Sequence, residues 1–168
     1  MTRAHTRVAF RAGVVLAVVV VLDQVTKALV RGGIEVGEED SVLPAVSLVH
    51  VRNTGVAFGA FSGGGIIVVA LVTAALAALL YYFVTHLDKR LVWVPTGMLL
   101  GGSIGNVIDR VRDGAVTDFV KLPAWPAFNV ADISITFGVL VLLWVIEQQD
   151  GAPERAEGGA HAPDGQPG

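Results

Sequence analysis

Apolar residues run along this chain in long stretches, without the polar interruptions every third or fourth position that mark a helix facing solvent. No Asp, Glu, Lys or Arg occurs in 13–22 or in 63–86. A hydrocarbon core takes roughly 20 apolar helical residues. The pattern therefore predicts four spans, at 13–30, 65–85, 91–111 and 130–147. Tyr81, Tyr82 and Phe83 close the second as an interfacial aromatic belt. Between the spans lie the segment 31–64, a turn at 86–90 and a loop at 112–129, with a basic leader at 1–12 and a tail at 148–168.

The segment 31–64 is too polar and broken to span. Val46, Leu48, Val49 and Val51 predict short strands there, and Gly55 and Gly59 predict bends. The expected fold is an all-α membrane protein: a four-transmembrane-helix bundle with a small extracytoplasmic β-rich segment on the membrane surface. Orientation follows from the basic residues of short loops. Arg3, Arg7 and Arg11 precede the first span, and Lys89 and Arg90 sit in the turn at 86–90. The 31–64 segment sets Arg31 and Arg52 beside Glu35, Glu38, Glu39 and Asp40. Both termini are thus expected in the cytoplasm, with 31–64 and 112–129 together on the outer face. The residues after Leu22 are Asp23, Gln24, Val25, Thr26 and Lys27, which form no small-x-small cleavage site, so the first helix is expected to be retained.

Composition agrees: 53% of residues are hydrophobic and 16% charged, with mean hydropathy +0.64. Soluble domains carry about 25% charge, so a soluble enzyme and a disordered chain are both excluded. The net charge of −3 comes from the tail, where Asp150, Glu154, Glu157 and Asp164 face only Arg155. That tail has no apolar periodicity and is expected to be disordered. No basic patch marks a nucleic-acid partner. With no cysteine, the chain has no disulfide, thiol nucleophile, zinc–thiolate site or cysteine-linked lipid.

Polar residues at membrane depth cost about 2.5–3.5 kcal/mol each when charged, so each calls for a reason. Asp23 and Lys27 stand four apart and can pair on one helical face, supporting a site rather than forming one. Residues 101–105 match the serine-nucleophile pattern G-x-S-x-G around Ser103. The stretch lies inside an apolar span and nothing ties His50 to it, so close helix packing explains it better. What remains is a cluster of acids and amides: Asn106, Asp109 and Arg110, then Asp113, Asp118, Asn129 and Asp132. Asp109 next to Arg110 invites an ion pair, whereas Asp118 and Asp132 have apolar neighbours and no adjacent base. Two carboxylates in one partly desolvated site share a proton and can work as acid and base. On spacing alone, a proton relay and a structural polar network remain alternatives.

Taken in order, LDQVTK (22–27), NTGVAFG (53–59), GGSIGNVIDR (101–110), VTDF (116–119) and FNVADISIT (128–136) resemble lipoprotein signal peptidase, the signal peptidase II family. The resemblance covers about residues 12–146. It implies an aspartic endopeptidase of the bacterial inner membrane, multi-pass. Such an enzyme cuts the signal peptide from a prolipoprotein just before the diacylglyceryl-modified cysteine. By motif the catalytic pair falls on Asp118 and Asp132, with Asp23, Lys27, Asn53, Asn106, Asp109, Arg110 and Asn129 supporting it or binding substrate. Arg110 is expected to hold a phosphate or a carbonyl, or else to pair with Asp109. The implied partners are lipid-modified prolipoproteins and membrane lipids, and no metal or cofactor is implied. The stretch between Asp118 and Asp132 is shorter than is common in the family. The competing readings are a small proton-coupled transporter using the same carboxylates as a relay, and a non-catalytic membrane assembly factor. Neither an internal repeat nor midplane polar residues, the usual marks of a transporter, is present.

Overall fold

The computed structural model describes residues 3–55, 74, 77–87 and 91–150. The first part of the span expected at 65–85, most of the turn at 86–90 and nearly all of the tail lie outside them. The described residues form three long helices, α1 (Arg3–Gly33), α2 (Trp93–Asp113) and α3 (Val130–Asp150). They carry a sheet of β1 (Glu39–Leu43), β2 (Val46–Asn53) and β3 (Val116–Lys121), antiparallel in the order β1-β2-β3. Residues 77–85 are helical as well.

Among the described residues, two helices, Arg3–Gly33 and Val130–Gln148, are long and apolar enough to cross a membrane, yet only 11% and 22% of their most apolar stretches are buried inside the protein. Val14, Val18, Val21, Val25 and Leu29 of α1 point outward, as do Phe137, Leu140, Leu143 and Trp144 of α3. Apolar side chains turned outward on a helix that satisfies its own backbone are suited to lipid. The first helix begins ten residues earlier than its predicted span, so that Arg3, Arg7 and Arg11 are helical, with Arg11 over the ring of Trp93 at 5.8 Å.

The packing of α1 on α2 explains the glycine run. A Cβ on Gly97 would lie 2.6 Å from Val15 Cβ, one on Gly101 2.8 Å from Val19 Cβ, and one on Gly105 2.5 Å from Asp23 Oδ2. Each step advances four residues on both helices, so α1 and α2 run parallel with their backbones close. Beyond Gly105 the same two stripes turn charged: Lys27 meets Asp109, and Arg31 meets Asp109 and Asp113. On its other side α2 meets α3 antiparallel, Gly102 against Ala131 and Ile135, and Gly138 against Leu99. Ser134 Oγ donates to Met98 O at 3.0 Å along this seam.

The small sheet expected from 31–64 is present, but its third strand comes from 112–129, which the sequence reads as a loop. Gly114 ends α2 with φ of 71°, its N–H donating to Arg110 O at 3.1 Å, and the chain turns directly into β3. The first four residues of β3 are buried on both faces, so the strand lacks the alternation that would have revealed it. Past β3 the chain returns, and Phe128 exchanges backbone hydrogen bonds with Val120 at 2.8 and 3.0 Å. That return sets Asn129 beside β3 at the start of α3.

Candidate active site

One asparagine joins the two acids. Asn129 Nδ2 donates to Asp118 Oδ1 at 2.7 Å. Its Oδ1 accepts from the backbone N–H of Asp132 at 2.9 Å, while its own N–H donates to Asp132 Oδ2 at 3.2 Å. This reciprocal cap starts α3 and holds the Asp132 carboxylate in the first helical turn, where negative charge is favoured. Asp118 stands on β3 opposite Val51 of β2, and from that strand Asn53 Nδ2 donates to its Oδ2 at 2.9 Å. Asn53 is fixed in turn by the N–H of Gly55 on its Oδ1, at 2.9 Å. From α2, Asn106 Nδ2 donates to Asp132 Oδ1 at 2.9 Å.

Behind this pair lies a fully buried ionic core. Lys27 is 0% exposed, and its ammonium donates to Asp23 Oδ2 at 2.9 Å, Asp109 Oδ2 at 3.0 Å and Asn106 Oδ1 at 2.9 Å. Three protons meet three acceptors, the condition on which a buried charge is tolerated. Asp23 also takes the N–H of Ala131 at 2.9 Å, and so caps α3 from a different helix. Asp109 takes the N–H of Thr117 at 3.1 Å and Gln24 Nε2 at 3.0 Å.

Burial pushes the Asp118 carboxyl up to about 6 from its usual 3.8. The amide of Asn53 pulls it down, the charge of Asp132 pushes it up again, and Asn129 and Lys27 oppose that rise. The site is flanked by two clefts. One, about 470 Å³, is lined by Asp118, Asn53, Thr54, Arg52 and Trp125 on the sheet side. The other, about 540 Å³, is apolar and runs between Leu99 and Val107 of α2 and Ile135 and Val139 of α3, with Asn106 and Arg110 among its polar lining residues.

The nine residues that the resemblance assigns to the site thus lie at or beside one place: Asp23, Lys27, Asn53, Asn106, Asp109, Arg110, Asp118, Asn129 and Asp132. The pairing of Asp109 with Arg110 does not form. Neighbours on a helix point about 100° apart, so Asp109 turns inward to Lys27 and Arg31, while Arg110 donates to Asn106 O at 3.3 Å. Sequence reasoning passed over Gln24, Arg31 and Thr117. Arg31 Nη1 donates to Thr117 Oγ1 at 3.2 Å and lies 3.6 Å from both Asp109 and Asp113. The four-residue stripe running through Asp23 and Lys27 reaches Arg31 next, and would have found it. Ser103 lies mid-helix in α2, without the strand–turn–helix that a nucleophilic serine requires, and His50 is tied through Nδ1 to Ile34 O at 2.8 Å.

Residues 15–147 match the family described as signal peptidase (SPase) II. A protein named lipoprotein signal peptidase from Halothermothrix orenii is 34% identical over 138 residues, covering 82% of this chain and 95% of that one. Another of that name, from Rhodopseudomonas palustris, is 40% identical over 148 residues, 80% of this chain and 90% of its own. Two solved structures, each described as a bacterial membrane enzyme determined by the in meso method, are similar in fold. The one at 1.9 Å is 31% identical with a TM-score of 0.72, over 80% of this chain and 91% of that one. The one at 2.3 Å is 30% identical with a TM-score of 0.76, over 87% and 93%.

Proposed function

The chain belongs to the signal peptidase II family, aspartic peptidases of the bacterial membrane that remove signal peptides from prolipoproteins, and we propose that Asp118 and Asp132 are the pair that makes the cut. The observation that carries this reading is Asn129, which bonds both carboxylates at once and holds them to one site. One aspartate, ionised, takes a proton from water as the water oxygen attacks the scissile carbonyl. The other, protonated, donates to the carbonyl oxygen, and a proton then passes to the leaving nitrogen as the C–N bond breaks. Asp23, Lys27, Asp109 and Asn106 keep this pair in place from behind. The family does not favour a proton-coupled transporter.

The same reading extends to membrane placement. Four spans at 13–30, 65–85, 91–111 and 130–147 put both termini in the cytoplasm, by the basic residues of the leader and the turn at 86–90. The sheet and the acids then lie at the outer surface, where a signal helix leaves the bilayer. The substrate is a precursor carrying a diacylglyceryl group on the cysteine just after the scissile bond. The apolar cleft between α2 and α3 suits a lipid chain or the signal helix, and Arg110 at its polar end suits a phosphate or a backbone carbonyl.

The test uses purified protein, a lipidated precursor and the same precursor without lipid. Asp118→Asn and Asp132→Asn are each expected to abolish cleavage at normal membrane yield. Near-normal turnover in either, with a dead Asp109→Asn, overturns the pairing. Two acyl chains fix the depth of the scissile bond, and a small misplacement of reacting atoms costs about 10²-fold in rate. The unmodified precursor is therefore expected to be cut far more slowly; equal rates would remove the lipid from the account.

A further inference from the structure

The amides around the acids have no freedom to turn. Asn106 Oδ1 accepts from Lys27 Nζ at 2.9 Å and from Asn129 Nδ2 at 3.2 Å, and neither group can accept in return. The Asn106 NH₂ therefore must face Asp132 Oδ1. Asn129 is held the same way, because its Oδ1 takes the N–H of Asp132. Lys27 in turn is committed, its remaining bonds going to Asp23 and Asp109.

We propose, on the reading that Asp118 and Asp132 are the working pair, that Lys27 is a positioning residue that decides which of them holds the proton. It does so by making the shorter of the two bonds that lock Asn106 with its donor toward Asp132, the other coming from Asn129, so that Asp132 is the ionised base and the proton stays on Asp118. The surroundings of the two acids differ in the same sense. Asp132 takes an amide donor on each oxygen and sits in the first turn of α3, at a positive helix end. Asp118 also takes two amide donors, but it is 2% exposed and stands on a strand, outside the first turn of α3. The charged groups packed behind the pair are Asp23, Lys27 and Arg31 from α1 and Asp109 and Arg110 from α2, while Arg52 of β2 lies on the other face of the sheet and donates to Asp113 O. Of these cations, Lys27 is the one bonded to the side-chain amide that donates to Asp132. With one proton between two carboxylates, each step of the cleavage then has one donor and one acceptor already assigned.

Two variants test this through the pH profile of kcat on a lipidated precursor. Lys27→Met combined with Asp109→Asn removes the buried cation together with one of its counter-charges. Asn106→Asp keeps the shape and the bond from Lys27 but turns an acceptor toward Asp132. Each is expected to move the acidic limb of the profile up by about one pH unit, with kcat at neutral pH falling about tenfold or more and KM little changed. Because Asn106→Asp is isosteric, it tests the donor toward Asp132 even if the double variant does not fold, and Lys27→Gln, which keeps an N–H donor without the charge, then tests Lys27 itself. An acidic limb unmoved in Asn106→Asp, or in a folded double variant that has merely lost turnover, overturns the proposal and leaves Lys27 a structural ion. Failure of the catalytic reading itself would appear separately, as turnover by Asp118→Asn.

Discussion

Gly105 of α2 stands where Asp23 of α1 needs room: a Cβ there would lie 2.5 Å from Asp23 Oδ2 and 3.1 Å from its Cγ. The missing side chain thus sets the height at which α1 carries its carboxylate, and with it the seat of Lys27 and the cap on Ala131.

Gly105→Ala should therefore act on stability and site together. Overpacking a tight seam costs about 1–3 kcal/mol, and here the group that must yield is a carboxylate bonded on both oxygens. A lower melting temperature in detergent and reduced turnover below it are expected. Gly114→Ala, with open space around its Cβ but φ of 71°, should destabilise by backbone strain alone and leave Asp23 in place. If both lower turnover equally at matched stability, the Asp23–Gly105 fit has no part in the site.

The raised Asp118 carboxyl makes two quantities depend on pH. In the folded chain that carboxyl is pushed up to about 6 by burial, whereas a solvated aspartate titrates near about 3.9. Between these values the folded state binds the extra proton, so stability from this group is complete below the lower value and is lost as pH rises through the upper. The melting temperature of the native chain minus that of Asp118→Asn should accordingly shrink as pH rises from about 4 to about 6.5. The kcat/KM profile reports the free enzyme, so it should fall as pH rises through about 6, and kcat should hold to higher pH because bound substrate excludes water. A difference in melting temperature that grows with pH contradicts the assignment.

Chelation should leave cleavage unchanged. Amide N–H groups of Asn53, Asn106 and Asn129 are aimed at the oxygens of Asp118 and Asp132, and a cation would have to displace them. Activity lost in EDTA and restored by a divalent metal would mean that these amides turn away in the working enzyme.

Much of this site is written in local sequence. Asp23 with Lys27, and Asn129 with Asp132, are pairs at helical spacing whose partners can be named before any fold is known. The sheet was legible at Val46, Leu48, Val49 and Val51, which alternate enough to suggest strands. Strand β3 was not, because burial on both faces removes the alternation around Asp118. Gln24 was missed for a different reason: its partner Asp109 lies 85 residues away, so no local window contains it, whereas Arg31 lies one step along the Asp23–Lys27 stripe. The Asp109–Arg110 pairing failed because adjacency in sequence is not adjacency on a helix surface. Close packing at Gly97, Gly101 and Gly105 was readable as small residues, but its register against Val15, Val19 and Asp23 belongs to the fold.

Asn53 offers the sharpest separation of the two acids, since its side chain bonds Asp118 Oδ2 and the backbone of Gly55. Its amide stabilises the ionised form of Asp118, pulling that carboxyl down against the effect of burial. In Asn53→Ala that opposition is gone, so Asp118 should keep its proton to higher pH than in the native chain. If Asp118 is the acid of the pair, the alkaline limb of kcat/KM moves upward from about 6, while the acidic limb stays where it is. Some activity is also expected to be lost, because the carboxyl is held by one amide instead of two, and a hydrogen bond between neutral groups contributes about 0.5–1.5 kcal/mol. Movement of the acidic limb instead would exchange the roles of Asp118 and Asp132, and no movement of either would show that Asn53 does not reach the working carboxyl during turnover.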